Sequence, residues 1–383
     1  MLFMIAALWL ALPVSAQTDT VKPIKVAVFA PVYVDSAFTE TGYKLGRNLI
    51  PKYILPGLEF YNGVMLAIDS LNIEKAPVEM FFYDSKSTTD PVEEVLGKPE
   101  LTDISLIIAS FNSRSEVKPL ADFALQHNIP LISSVYPSDG GVTANPFFVM
   151  INPTLKAHIE AIYKYLHRVY PLENITLFKR NGAIEDMILS VLNSINKKTP
   201  GIPLKLKIIE LPDEFTPEQV TTNLDSTRKN ILVCGTLNEA FGMNLVKAVS
   251  SSKNYRSVIM GMPTWDGIKD LGKDAEIIYS TPYNFSRTDK LSVQLTNKYR
   301  AKYAGRPSDM VFKGFESMYH FTKLLLKYGN GLINNLSSKE YKLFNDFDIQ
   351  PVNPDKENFM PDYLENKKIY FIRKLDGQVK SIN

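Results

Sequence analysis

In the segment IIASFNSRSEVKPLADFALQHNIPLISS, Ile107 to Ser134, the residues Ser110, Phe111, Asn112 and Ser113, with Ser115 just beyond, fall where an apolar run stops and a helical pattern begins. Hydroxyl and amide groups at such a junction sit beside unpaired N–H groups and the positive end of a helix, and could hold a carboxylate or another acceptor. The competing use of Ser113 or Ser115 is to cap the helix. The second apolar run ends at Ser134 and leads to Tyr136, Ser138 and Asp139; Ser134 and Tyr136 are contact candidates, and PSDGG also reads as a turn. Later, Asn238 and Glu239 follow NILVCG, and MPTWDG supplies Thr264, Trp265 and Asp266. Asp266 suits a cationic group, whereas Glu239 equally suits the first turn of a helix. Trp265 could stack on a ligand or fill the surface between domains.

Other chemistries find little footing. No GxGxxG, phosphate-loop or GxSxG pattern occurs, and the four histidines, His127, His158, His167 and His320, are scattered without ligand spacing, so neither metal nor cofactor is expected. The single Cys234 lies inside NILVCG, as a buried structural thiol would. With a net charge of +2 and both signs interleaved, no block of charge would follow a nucleic acid or hold an anionic membrane.

The elements that must position these residues alternate. IKVAVFA, VEMFFYD, SLIIAS and PLISS read as strands, separated by the helical patterns GLEFYNGVMLAIDSLN, DPVEEVL and Ser115–His127, in which Val117, Leu120, Ala121, Ala124 and Leu125 share one face. After Asn145–Pro153 the alternation resumes: a helix capped by Thr154, ITLFKR, AIEDMILSVLNSI, LKLKIIEL, a helix with Thr216 as cap and Pro217 at its first position, NILVCG, NEAFGMNLVKAVS, SVIMG, TWDGIKDLG and AEIIYS. Two long helical patterns, KLSVQLTNKYRAKYAG and SDMVFKGFESMYHFTKLLLKYG, and the strand-like KKIYFIRKL close the chain. This order predicts an α/β fold of two Rossmann-like lobes, each a parallel sheet flanked by helices. At the start, Leu2–Leu12 with Val14 and Ala16 before Gln17 reads as a signal peptide over 1–16, and its lack of cysteine argues against a lipid anchor. Nothing later is apolar for long enough to span a bilayer, and a chain with one cysteine fits a bacterial periplasm better than a disulfide-rich secreted domain.

Several of these segments carry a resemblance. GLEFYNGVMLAIDSLN, FFYDSKSTTDPVEEVL, IIASFNSRSEVKPLADFALQHNIPLISS and YRAKYAGRPSDMVFKGFESMYHFTKLL resemble, in the same order, motifs of the type I periplasmic solute-binding proteins of the branched-chain amino-acid-binding kind. The resemblance spans nearly the whole mature chain. It implies lobe 1 from 23–148 and 284–330, lobe 2 from 149–283 and 331–383, and three crossings near Asn145–Pro153, Thr281–Phe285 and Tyr328–Asn334. It further implies a small polar, amino-acid-like ligand between the lobes, an ABC transporter permease as partner, and ligand contacts from Ser110 to Ser113 and from Ser134 and Tyr136. Two features depart from the family: the Thr of the carboxylate grip is replaced about Tyr136 and Pro137, and NGAIED stands where an aromatic-Gly pair is usual, so that the aromatic is replaced by Ile184 or is absent.

A further segment, PVYVDSAFTETGYKLGRNLIPKYILPG, is long for a strand-to-helix loop and could be a lid using Tyr33, Asp35 or Tyr43, or a docking surface. Two other readings therefore stay open: a two-lobed interaction protein of the cell envelope that no longer binds a solute, and an enzyme on a doubly wound fold.

Overall fold

The computed structural model describes residues 22–46, 50–268, 275–353 and 360–382; the expected signal peptide lies outside the described residues. The first lobe begins with β1 (Ile24–Ala30), a short α1 (Val34–Ala37), the small hairpin β2 (Phe38–Thr39) and β3 (Gly42–Tyr43), and the long α2 (Leu55–Ile73). It continues through β4 (Val78–Asp84), α3 (Val92–Val95), β5 (Ile104–Ala109), α4 (Val117–His127), β6 (Leu131–Ser133) and β7 (Phe148–Met150). The second lobe holds α5 (Leu155–Val169), β8 (Asn174–Lys179), α6 (Ala183–Lys198), β9 (Lys205–Glu210), α7 (Pro217–Thr221), β10 (Asn230–Cys234), α8 (Glu239–Ser250), β11 (Ser257–Gly261) and β12 (Glu276–Thr281). The chain then returns through α9 (Lys290–Tyr303), α10 (Asp309–Tyr328), β13 (Ile349–Val352), β14 (Tyr363–Asn366), β15 (Tyr370–Leu375) and β16 (Gln378–Ile382).

Apart from the β2–β3 hairpin, the strands form two sheets ordered β13-β14-β7-β6-β5-β1-β4 and β16-β15-β12-β11-β10-β8-β9, parallel except at the β13–β14, β12–β15 and β15–β16 pairings. Apolar residues occupy both faces of the central strands. Val26, Val28 and Ile108 pack under α2 and α10, while Ala27, Ile107 and Ala109 pack on α4. The second sheet repeats this arrangement, with α7 and α8 on one face and α5 and α6 on the other. Local signals read from sequence are made as side-chain contacts: Thr154 Oγ1 accepts from Ala157 N at 3.4 Å, and Thr216 and Gln219 form a capping box.

One assignment differs from the sequence reading. Strands β13 and β14, placed in lobe 2 by the resemblance, lie in the first sheet, where Leu364 and Glu365 pair in parallel with Val149 and Met150. Leu332, Leu336 and Phe347 are buried in the first lobe's core and hold this segment there. The third crossing therefore lies between Asn366 and Tyr370 rather than at Tyr328–Asn334, where the chain forms a 3-10 helix, Gly329–Asn335.

The α2–α10 contact fixes the height of α10. A Cβ on Gly63 would stand 2.1 Å from the Val311 carbonyl oxygen, and one on Gly314 would stand 2.2 Å from the Phe60 oxygen. Glycine on each helix thus lets the two backbones touch.

Candidate functional site

Three crossings join the lobes, and buried polar groups tie them together. Between β7 and α5, the Thr154 N–H donates to Glu365 Oε1 at 2.6 Å, and Asn366 Nδ2 donates to the Ile151 oxygen at 3.1 Å, linking the first crossing to the third. After β12, Asn284 N donates to Asn345 Oδ1 at 2.8 Å, while Asn345 Nδ2 and two backbone N–H groups donate to the buried Glu316 on α10. Tyr283 Oη reaches back to the Ser134 oxygen at 2.5 Å.

Against this hinge lies a cavity of about 340 Å³ whose polar lining includes Asn152, His158, Thr264, Asp266, Thr281 and Lys313. Leu155, Leu237 and Pro263 supply apolar wall. Both lobes contribute, since Lys313 comes from α10 and Thr264 and Asp266 follow β11. Lys313 Nζ lies 3.9 Å from the Tyr283 ring centroid and has no hydrogen bond or salt bridge among the described residues. Burial lowers its pKa, opposed by the charges of Asp309 and Asp266. Asp266 keeps part of its surface exposed and accepts from Thr281 Oγ1 at 3.1 Å. Enclosure in the cleft and then the charge of Asp309 raise its pKa. His158 is buried with Nδ1 3.0 Å from Ser280 Oγ, and burial pushes its pKa down to about 3, so it is neutral at physiological pH. The Ser134 and Thr264 hydroxyl oxygens are buried without a hydrogen-bond partner among the described residues.

The loop after β5 is closed upon itself. Asn112 N donates to Glu116 Oε2 at 3.1 Å and Ser113 Oγ donates to Glu116 Oε1 at 3.0 Å. Lys86 forms a salt bridge with the same carboxylate, and Asn112 Nδ2 donates to Tyr33 Oη at 2.8 Å. The Ser113 hydroxyl and the Asn112 N–H, expected to meet a ligand acceptor, are thus engaged by a buried protein carboxylate, the Asn112 amide is engaged by Tyr33, and Ser113 makes no side-chain cap. The long loop is fastened to the same end of the sheet. Asp35 accepts from Thr88 N and Ser87 Oγ, each at 2.7 Å, and from Thr89 N at 3.0 Å, which holds its carboxyl far below the usual range. Tyr43 packs on Phe38 with ring centroids 5.5 Å apart, and residues 47–49 of this loop lie outside the described residues.

The other sequence candidates disperse. Ser110 and Phe111 are buried in the first lobe, and Tyr136 packs against the same core. Asn238 caps α8, its Oδ1 accepting from Phe241 N at 2.9 Å, and Glu239 is exposed in that first turn. Trp265 is fully buried in the second lobe's core, where Cβ atoms on Gly242 and Gly261 would collide with its ring, so it fills the lobe's interior rather than the surface between lobes. Cys234 is buried and its thiol is pushed up to about 12 by desolvation, as a structural residue would be. Of the residues singled out from sequence, Thr264 and Asp266 line the cavity and Ser134 touches it through Tyr283. Sequence reasoning missed Lys313, Asn152 and Thr281; a lysine inside the otherwise apolar MVFKGF was the available signal. Among the described residues no cluster of potential metal ligands occurs and no helix is long and apolar enough to cross a membrane.

No family model matches the chain, and no curated protein matches it. Solved structures do. A protein of Rhodospirillum rubrum described as belonging to a branched-chain amino acid ABC transporter superposes with a TM-score of 0.65 at 11% identity, covering 94% of this chain and 100% of the other. This chain has the two-lobed fold of periplasmic binding proteins. The same fold is found in a branched chain amino acid ABC transporter periplasmic ligand-binding protein of Burkholderia xenovorans, with a TM-score of 0.62 at 12% identity over 94% of each chain. An ABC transporter substrate-binding protein of Desulfitobacterium hafniense solved with Leu shows it too, with a TM-score of 0.55 at 11% identity over 94% of this chain and 100% of that one. At these identities the likeness speaks for the binding-protein fold alone.

Proposed function

We propose that the protein is an exported solute-binding protein, not an enzyme, that takes a small polar, amino-acid-like ligand in the cleft between its lobes, serving ABC-type uptake or sensing. The observation that carries this reading is the cavity against the three crossings, with Lys313 and Asp266 presented from opposite lobes. Ligand contacts made only when the lobes are shut would select the closed form. The fold, shared with a substrate-binding protein solved with Leu, and the leader-like residues 1–16 support the assignment and a periplasmic location.

The test is a thermal-shift screen of the chain from Gln17 onward against amino acids, small peptides, sugars and organic acids at millimolar concentration. A ligand at a hundred times its dissociation constant stabilises by about 2.7 kcal/mol, which moves the melting temperature by several degrees. Asp266→Asn should then weaken a cationic or zwitterionic ligand strongly and a neutral one little. A flat response from folded protein would sink this reading. It would favour an envelope interaction protein, for which the Glu116-filled loop and the exposed Phe38, Leu45, Ile50 and Tyr53 of the long loop are the supporting observations.

A further inference from the structure

We infer that Lys313 forms the anion subsite of the cleft, so that the ligand is a small aliphatic carboxylate whose acid group rests on α10 beside the hinge and not on the loop after β5. The inference rests on the solute-binding reading above and narrows it. A cation taken largely out of water is costly unless an opposite charge meets it. Lys313 is partly buried, faces the Tyr283 ring, and has no hydrogen bond or salt bridge among the described residues. The two acids whose charge acts on it are not paired with it: Asp309 pairs with Arg287, and Asp266 accepts from the neutral Thr281. The alternative anion holder, the loop from Asn112 to Ser115, already surrounds the Glu116 carboxylate, so a ligand acid there would have to displace a buried protein acid paired with Lys86.

The rest of the cavity narrows the ligand. Its volume, about 340 Å³, is near the lower end of the usual ligand range of roughly 300–1,000 Å³. Leu155, Leu237, Pro263 and Pro282 favour a short apolar body. Asp266 faces the same space, so an amino group on the ligand would be accepted there in addition to the carboxylate.

Three probes that differ by one charged group at a time test this: leucine, 4-methylpentanoate, which lacks the amino group, and 3-methylbutylamine, which lacks the carboxylate. Binding is measured by thermal shift and calorimetry on the wild type, Lys313→Met and Lys313→Arg. The wild type is expected to bind leucine and 4-methylpentanoate; Lys313→Met should lose at least tenfold in affinity for both, and Lys313→Arg should retain most of it. Without any probe, Lys313→Met should melt a few degrees higher than the wild type, because it removes a desolvated charge. Carboxylates that bind Lys313→Met as tightly as the wild type overturn the inference, as does a ligand-free Lys313→Met that melts lower while Lys313→Arg does not, since Lys313 would then be a structural ion. A wild type that answers sugars or peptides in the wider screen but neither carboxylate also overturns it, while leaving the solute-binding reading standing.

Discussion

Two polar regions of this molecule use similar residues to opposite ends. In the loop after β5, the Ser113 hydroxyl, a backbone N–H and a lysine converge on Glu116, so that this buried charge has its partners within the protein. In the hinge-side cleft, a lysine, an aspartate and two threonines face a cavity, and Lys313 and the Thr264 hydroxyl are left without hydrogen-bond partners among the described residues. The difference teaches that residue type at a strand end does not identify a site. What identifies it is whether the polar groups are already satisfied, because a buried group without a partner costs free energy that a ligand can recover.

Four substitutions break or sharpen this contrast. The largest effect is expected from Gly314→Ala, whose Cβ would meet the Phe60 oxygen at 2.2 Å. Pushing α10 off α2 should cost about 3 kcal/mol in urea unfolding and shift Lys313 with it, weakening any ligand response. Next is Glu316, whose pKa is raised from 4.5 to about 7 chiefly by burial, against the opposing donors of Asn345 and Phe344. Because the folded state binds this proton more tightly than the unfolded state, its contribution is fully present below pH 4.5 and is lost as the pH rises through about 7. The loss is on the order of 3 kcal/mol, and Glu316→Gln should flatten that part of the stability profile followed by denaturant titration. Glu116→Ala should cost about 2 kcal/mol, since it strands Lys86 and the Asn112 N–H, yet leave ligand affinity within twofold. A loss of binding in that variant would return the ligand site to the first loop. Smallest is Ser113→Ala, expected within about 0.5 kcal/mol in stability.

The alternation of strands and helices was legible in the sequence because the central strands are apolar on both faces and several helices carry explicit caps at Thr154, Thr216 and Asn238. β7, β13, β14 and β16 were not. Phe148–Met150 is only three residues long, and Ile349–Val352 and Gln378–Ile382 are largely exposed edge strands with no clear apolar alternation. The long-range pairing of β14 with β7 moved the third crossing. For the site, Asp266 was readable as an acid at a strand end, but Lys313 was hidden in the middle of a helix whose other residues are core, 47 positions after Asp266 in the chain. Only the return of α10 to the first lobe brings it to the cleft. Trp265 misled for a related reason: beside Asp266 it read as a stacking surface or as filler between the lobes, and two glycines make room for it inside the lobe.

The most direct measurement is a calorimetric titration of leucine into the wild type, Ser113→Ala and Lys313→Met, run side by side. The account predicts that Ser113→Ala binds within twofold of the wild type and that Lys313→Met is at least tenfold weaker. Loss of binding in Ser113→Ala with affinity retained in Lys313→Met would contradict it.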